Sequence, residues 1–565
     1  MTGHFGAILL DGELRDREAQ KSRRRDTRLQ GFDVFLEGFS RALLTHSQHG
    51  PILFPHEALL AFRASAPAWF ATVQEKIQTV SAVHPRALAV RERLLLLSMG
   101  PEMLQYAWMR AEAGRPDWPI TAILHSPQPI PRIRYLFTNY LMGTLGRQDA
   151  LICPSQAMRN IIKATFEAVP ASLRSNAELP MELPVIPMGV DVDAWQGISR
   201  TEARQTLKLP AEGPILLWFG RISPSDKGEL LPFLRILAPL VERHRACLVI
   251  AGDDTSYRMA PTLRKLAEEL GYGERFAIFP DVTQAEKCAL FRAANIFLAL
   301  TDSMHEGFPL TIAEAMASGL PVVASDWASH REWIQAGRTG RLVPTYLPAD
   351  PEHLVITLYA GASQETHWEL STVMDLPILQ AALDELLAHP EMLAGMSDAA
   401  LQFAQATFDW PVVMRQYDAL WQEQFARAAS VSRHAASFPA ASFPQLFTSY
   451  PTRLLQGSDF LTIPVDAPGY EFLPALGGAP HFHQDLFLRV LQTCRNNPAG
   501  ARLDEIIVDV CATSSRAIRS AEVERHIGRL LKHGLLEIAH AIRSCTPTAC
   551  VTTTENCPSH DPTQD

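Results

Sequence analysis

From residue 214 onward, apolar positions come in blocks rather than singly. ILLWF (215–219), CLVIAG (247–252), FAIF (276–279), IFLAL (296–300) and PVVAS (321–325) are short apolar runs, the pattern of strands buried on both faces of a parallel sheet. Between them, Leu230 to Arg243, Ala260 to Leu270 and Gln284 to Ala294 repeat their apolar residues at helical spacing. This alternation predicts a doubly wound α/β domain. The first 195 residues carry a looser version of the same pattern. GAILL (6–10), PILF (51–54), TAILH (121–125), DALIC (149–153) and LPVIP (183–187) read as strands. Phe32, Phe35, Leu36, Phe39 and Leu43 give a helix over 32–44 one apolar face. The helical material between 57 and 115 is long for a simple crossover, and GVDVDAW after Met188 reads as a tether.

These patterns divide the chain into an α/β domain over 1–195, a second over 196–380 and a helical return over 381–428 broken by Pro390 and Pro411. A Ser-, Pro- and Ala-rich linker with some fixed contacts over 429–480 follows, then a small module over 481–540 and a Cys- and Thr-rich tail over 541–565. The module shows three helical patterns. The last ends at Lys532–His533–Gly534 before a short apolar strand, which suggests a winged-helix-like fold.

Composition narrows the class. A chain of 565 residues exceeds what one core usually organises, and 47% hydrophobic with 20% charged residues is an ordinary globular balance. The net charge of −10 argues against a protein that coats nucleic acid. No apolar run approaches the roughly 18–20 residues of a membrane-spanning helix. The start, MTGHFGAILLDGELRDR, has no basic stretch before its apolar run, and eight cysteines over this length are no disulfide framework. The expectation is a cytoplasmic multidomain protein.

Two clusters carry candidate chemistry. In TDSMHEGFPLTIAEAMASGLPVVASD (301–326), Glu306 lies in a loop punctuated by Gly307 and Pro309, and a helix begins near Leu310 with Glu314 one turn in. Free amides at such a helix start suit an anion, and the glycine lets a ligand approach the backbone. The two carboxylates would then accept from hydroxyls at either end of an elongated ligand. Read locally, they are equally a pair of solvated residues around a βα loop. In FGRISPSDKG (219–228), Arg221 and Lys227 share a loop at the end of a strand. Two converging cations there suit a diphosphate without a metal.

In sum, residues Pro214 to Val343 resemble the retaining nucleotide-sugar glycosyltransferases of family four, which have the GT-B fold. The resemblance rests on GR at 220–221, KG at 227–228, AGDD at 251–254, EGFPLTIAEAMASGLPVVAS at 306–325 with its Glu-x7-Glu spacing, and TGRLV at 339–343. Weaker matches, LHS (124–126), DALICPSQAMRN (149–160) and VIPMGVDVDAW (185–195), extend it over roughly 120–428. It implies two facing Rossmann-like domains, donor on the second and acceptor on the first. It implies that Arg221 and Lys227 bind the donor diphosphate, Glu314 the ribose and Glu306 the transferred sugar. Gly307, Phe308, Pro309 and Leu310 would contribute around the sugar and phosphate, and His125 would face the sugar across the cleft. No cofactor or metal is implied, the nucleotide sugar being a substrate. The family's glycine-rich first loop is poorly matched, with Gly31 its best counterpart.

Asp191-Val192-Asp193 has a D-x-D spelling but occupies the tether, and Cys545, Cys550, Cys557 and His560 are zinc-type ligands at loose spacing in the tail. The basic run KSRRRDTR (21–28), with Arg15 and Arg17, could meet anionic lipid headgroups or a phosphorylated acceptor, or be a solvated loop interleaved by Asp16, Glu18 and Asp26. Over 495–543 the charges are too balanced for a duplex reader, which favours a peptide or protein partner for the module. The rival expectations are a catalytically silent nucleotide-sugar sensor whose module binds DNA or a partner, and a GT-B phosphorylase.

Overall fold

The computed structural model describes residues 7–10, 31–55, 71–80, 88, 91–126, 140, 145–172, 179–223, 227–347, 372–431, 453, 455–465, 467, 482–514 and 518–539. The basic run at 21–28 with Arg15 and Arg17, and the tail cysteines with His560, lie outside them. The chain forms two units, residues 1–438 and 439–565.

The first unit holds two six-stranded sheets. One is built from β1 (Ala7–Leu10), β2 (Ile52–Pro55), β3 (Ile77–Val80), β4 (Leu94–Ser98), β5 (Ile120–Ile123) and β6 (Ala150–Ile152), in the order β3-β2-β1-β4-β5-β6. The other contains β7 (Ile215–Phe219), β8 (Cys247–Gly252), β9 (Phe276–Pro280), β10 (Ile296–Ala299), β11 (Val322–Ser325) and β12 (Gly340–Val343), in the order β12-β11-β10-β7-β8-β9. Every pairing in both is parallel. Each sheet thus has the doubly wound order 3-2-1-4-5-6, which opens a ligand crevice where the winding direction reverses, at β1/β4 and at β7/β10. A short ribbon, β13 (Thr345–Tyr346) and β14 (Val373–Met374), follows the second sheet.

The second sheet matches its sequence pattern closely; the first departs from its pattern in two places. The helical material expected between 57 and 115 is interrupted by β3 and β4; among the described residues it includes residues 71–73 and the helix Leu104–Glu112. Leu94 to Ser98 is buried at all five positions, and a run that is apolar all round has no period to distinguish strand from buried helix. LPVIP, expected to be a strand, makes one isolated bridge beside β6, Cys153 to Val185, with Glu182 just before it bridging to Ala150. Pro184 and Pro187 have no amide to donate, which prevents a continuous ladder.

The return segment begins at Leu376, earlier than expected, and runs as helices Leu376–Ala388, Pro390–Thr407 and Trp410–Ala428. The last crosses to the first sheet's domain. There Tyr417 packs 5.1 Å from Phe39, Asp418 accepts from the Ser47 hydroxyl at 2.6 Å, and the Gln424 amide donates to the Ile120 and Gln148 carbonyls. The two crossings between domains lie side by side. Val190 N–H donates to Phe408 C=O at 2.8 Å and Trp410 N–H returns to Val190 C=O at 3.2 Å. Asp191 and Asp193 stand beside Asp409 at this hinge, where burial first, and then their charge, pushes the Asp409 carboxyl up. Among the described residues no group of His, Cys, Asp and Glu is placed to hold a metal, and no helix is long and apolar enough to cross a membrane.

The second unit has its own core, including Leu461, Phe487, Val490, Ile506, Val523 and Ile527. Helices Gln484–Asn496, Leu503–Thr513 and Ser520–Lys532 accompany an antiparallel sheet in which β15 (Phe460–Thr462) lies between β16 (Ala501–Arg502) and β17 (Glu537–Ile538). The central strand β15 falls inside 429–480 and is one of the fixed contacts of that segment. Three residues amid Ser-, Pro- and Ala-rich chain are too short to register as a run, and β15 is completed by partners from beyond residue 500.

Candidate active site

A cavity of about 800 Å³ opens between the two sheets' domains and collects the two sequence clusters. Arg221, Lys227, Glu306 and Glu314 all line it, as do His125, Gly307, Phe308 and Leu310. Pro309 is not among its lining residues; it is buried as the residue preceding helix Leu310–Ala317.

Lys227 follows β7 and reaches Glu306, in the loop after β10, with Nζ 2.9 Å from Oε2. The lysine side chain is 37% exposed and the glutamate 9%. Two residues expected to hold neighbouring parts of one ligand therefore hold each other across the cavity wall. Arg221 is exposed on the same wall.

Glu314, 1% exposed, is reached by a residue the sequence reading missed. Lys287 Nζ donates to Glu314 Oε1 at 2.6 Å, and both side chains are buried. Helix Gln284–Ala293 sets its position through a capping box, Thr283 and Glu286 each satisfying the other's backbone amide. The available signal was a lysine three and four residues before Leu290 and Phe291, on the stripe where a hydrophobe belongs. Burial pushes the Glu314 carboxyl up, and the Lys287 ammonium pulls it back.

His330 was also missed. It is buried on the wall beside Glu306 and Lys227, with Nδ1 3.1 Å from the Ser325 carbonyl. A carbonyl only accepts, so Nδ1 carries the proton and Nε2 is the acceptor side of the neutral ring. Burial lowers the imidazole pKa, partly opposed by Glu306.

The other domain contributes Val34, Phe35, His125, Ser126 and Met188. His125 Nε2 is 2.5 Å from the Met99 carbonyl, and its ring meets Phe35 edge-on at 5.0 Å. The place of Gly307 has a different cause from the expected one. A Cβ there would lie 2.5 Å from the His125 carbonyl oxygen, so the close approach is to the opposite domain's backbone. The Gly307 carbonyl accepts from Ser155 Oγ at 2.9 Å. The Phe308 side chain packs edge-on against Trp333 and Phe408 at 5.7 Å each. Of AGDD, Asp253 lines the cavity, whereas Asp254 accepts from Met259 and Ala260 amides at the start of helix Ala260–Glu269.

The domains are also joined by Glu332, next to the cavity loop. Its carboxylate accepts from the Gln156 amide at 2.6 Å and the Ala157 amide at 2.7 Å. These are free N–H groups at the start of helix Gln156–Ser172 on the first domain.

Two doubly wound domains facing a charged crevice define the GT-B architecture. Residues 213–360, which carry most of the cavity's charged residues, match the family described as Glycosyl transferases group 1. A D-inositol 3-phosphate glycosyltransferase of Mycobacterium sp. (strain KMS) is 32% identical over 218 residues, 38% of this chain and 47% of that protein. Its Mycobacterium bovis counterpart is 31% identical over 271 residues, 45% and 54% respectively. The chain thus spans about half the length of these curated relatives. Among solved structures, a glycosyltransferase from Rickettsia africae aligns with 76% of this chain and 100% of its own (TM-score 0.49, 15% identity). Anabaena HepE in complex with UDP and glucose aligns with 74% and 100% (TM-score 0.47, 16% identity).

Proposed function

We propose that the chain is a retaining glycosyltransferase that moves a sugar from a nucleoside-diphosphate donor to a hydroxyl-bearing acceptor. The observation that carries this reading is the convergence of Arg221, Lys227, Glu306 and Glu314 on one interdomain cavity, within the segment similar to group 1 glycosyltransferases. The relatives' names, D-inositol 3-phosphate glycosyltransferases, support glycosyl transfer as the reaction class.

Cleavage of the bond from anomeric carbon to phosphate oxygen builds positive charge on the sugar and negative charge on the departing diphosphate. Arg221 and Lys227 meet that negative charge as it develops, which stabilises the transition state more than the ground state. When the diphosphate draws Lys227 away, Glu306 is released to accept from hydroxyls of the sugar, and Glu314 accepts from the ribose. Front-face attack then places the acceptor hydroxyl beside the leaving oxygen, which takes its proton, so no separate base is required. His125, Ser126 and Phe35 form the acceptor side. Winged-helix character of the second unit, with a protein partner rather than DNA, is part of the same proposal and rests on its three helices and three-stranded sheet.

The test is transfer or donor hydrolysis by the purified chain over a panel of UDP-, GDP-, ADP- and dTDP-sugars. Arg221→Ala and Lys227→Ala should each lower turnover by about 10²–10³, the usual effect of deleting one transition-state donor. Undiminished turnover in both variants overturns the assignment.

A further inference from the structure

The Lys287–Glu314 pair has a geometry that the ribose-binding role of Glu314 does not explain by itself. The Lys287 ammonium lies over aromatic rings, its Nζ 5.0 Å from the centroid of Phe219 and 5.5 Å from that of Trp195. It ends 2.6 Å from Glu314 Oε1. Glu314 Oε2 is buried, has no hydrogen-bond partner among the described residues, and belongs to a residue lining the cavity. One oxygen is occupied and the other is vacant. A buried ion pair is a poor route to stability, since hydrophobic residues of similar volume usually serve as well or better. A lysine on the apolar stripe of helix Gln284–Ala293 therefore points to a use.

We propose that Lys287 is a positioning residue: it fixes the Glu314 carboxylate through Oε1 so that Oε2 is presented to the vicinal hydroxyls of the donor's ribose. This rests on the glycosyltransferase reading and deepens it. Lys287 acts through Glu314 and makes the site selective for ribonucleotides over deoxyribonucleotides, because only a ribose offers the pair of donors that the vacant oxygen requires. Other groups around Glu314 do not duplicate the effect. The Cys288 thiol, on the same helix as Lys287, is pushed up by burial and by Glu314 itself. Arg292 is engaged by the Ser318 carbonyl and by Gln196, and helix Pro390–Thr407 offers Ser397 to the Gly319 carbonyl. Across the cavity, Glu306 is paired with Lys227, and His330 is held neutral by burial.

The experiment measures binding of UDP, GDP and their 2′,3′-dideoxy forms to the full chain. It compares wild type with Lys287→Met, Lys287→Gln, Glu314→Gln and the double variant Lys287→Met/Glu314→Gln, each first shown to be folded by its melting transition. Removal of the lysine should weaken the better-bound ribonucleotide by about 10–100-fold, the range for loss of a charge-assisted hydrogen bond, and leave its dideoxy form unchanged. The double variant should bind no worse than Glu314→Gln, because Lys287 works only through that carboxylate. Without its counter-ion, Glu314 stays protonated to higher pH, so Lys287→Met should regain affinity as pH rises more steeply than wild type does. If Lys287→Met and Lys287→Gln keep the ribose preference, or if the double variant shows the two losses multiplied, the positioning role is wrong while the glycosyltransferase reading stands. If wild type binds neither ribonucleotide, both fail.

Discussion

The contact between Glu332 and the start of helix Gln156–Ser172 bridges the two halves of the cleft, and its removal should loosen the closed arrangement. In Glu332→Ala two amides at 2.6 and 2.7 Å lose a carboxylate acceptor. Both sites are partly open to water, which can replace the acceptor, so the loss is that of a helix cap, about 0.5–2 kcal/mol, rather than of two buried charged bonds. The Ser155–Gly307 bond remains, as does the hinge pairing at Val190. The equilibrium between closed and open cleft should therefore shift by about 2–30-fold, using 1.4 kcal/mol per factor of ten. Spin labels at Lys163 and Lys265, both exposed and on outer helices of different domains, report this directly. The variant should show a longer, broader distance distribution and a lower transfer rate, with each domain's helical content retained. A distribution superimposable on wild type would refute the idea that Glu332 holds the halves together.

Three further outcomes are expected. Gly189→Ala should destabilise the first unit by about 1–3 kcal/mol, the cost of overpacking, because its Cβ would lie 2.3 Å from the Trp410 ring at the hinge; chemical denaturation measures it. Gly307→Ala should hold the domains apart, since its Cβ meets the His125 carbonyl at 2.5 Å; the same spin-label pair should lengthen with little change in melting temperature. His330 is buried with its pKa lowered, so the unfolded chain takes up a proton near pH 6.5 before the folded site does. Its contribution to stability is present above that pH and lost as pH falls through the lower folded value. His330→Asn should accordingly lose less stability than wild type between pH 7 and pH 5, and an equal loss would show that His330 does not govern this window.

Much of the second domain is legible from residues alone because its strands are short apolar runs separated by segments of helical period. The Glu-x7-Glu spacing likewise places both carboxylates at one helix start. The first domain is harder because β3 and β4 interrupt a stretch of mixed periodicity, and IQTV carries too few apolar residues to announce a strand. Lys287 and His330 escape a linear reading for another reason. Each lies more than 20 residues from the carboxylate beside it (Lys287 from Glu314, His330 from Glu306), so only the packing of the helix after β9 and the short helix His330–Trp333 after β11 against the cavity reveals them. Glu332 escapes because its partners are backbone amides of the other domain, which leave no mark in the sequence. Gly307 shows the converse: the residue was singled out correctly, but the backbone it makes room for belongs to His125 and Ser126.

The central claim is that two cations and two carboxylates in one cleft grip a nucleotide sugar. Its most direct test is the melting temperature of the full chain with and without saturating UDP-glucose, GDP-mannose and ADP-glucose, in wild type and in Arg221→Ala/Lys227→Ala. A ligand present at 100 times its dissociation constant adds about 2.7 kcal/mol to the folded state. At least one of these donors should therefore raise the wild-type transition by several degrees and leave the double variant's unmoved. No shift with any donor, or an equal shift in both proteins, would contradict the account.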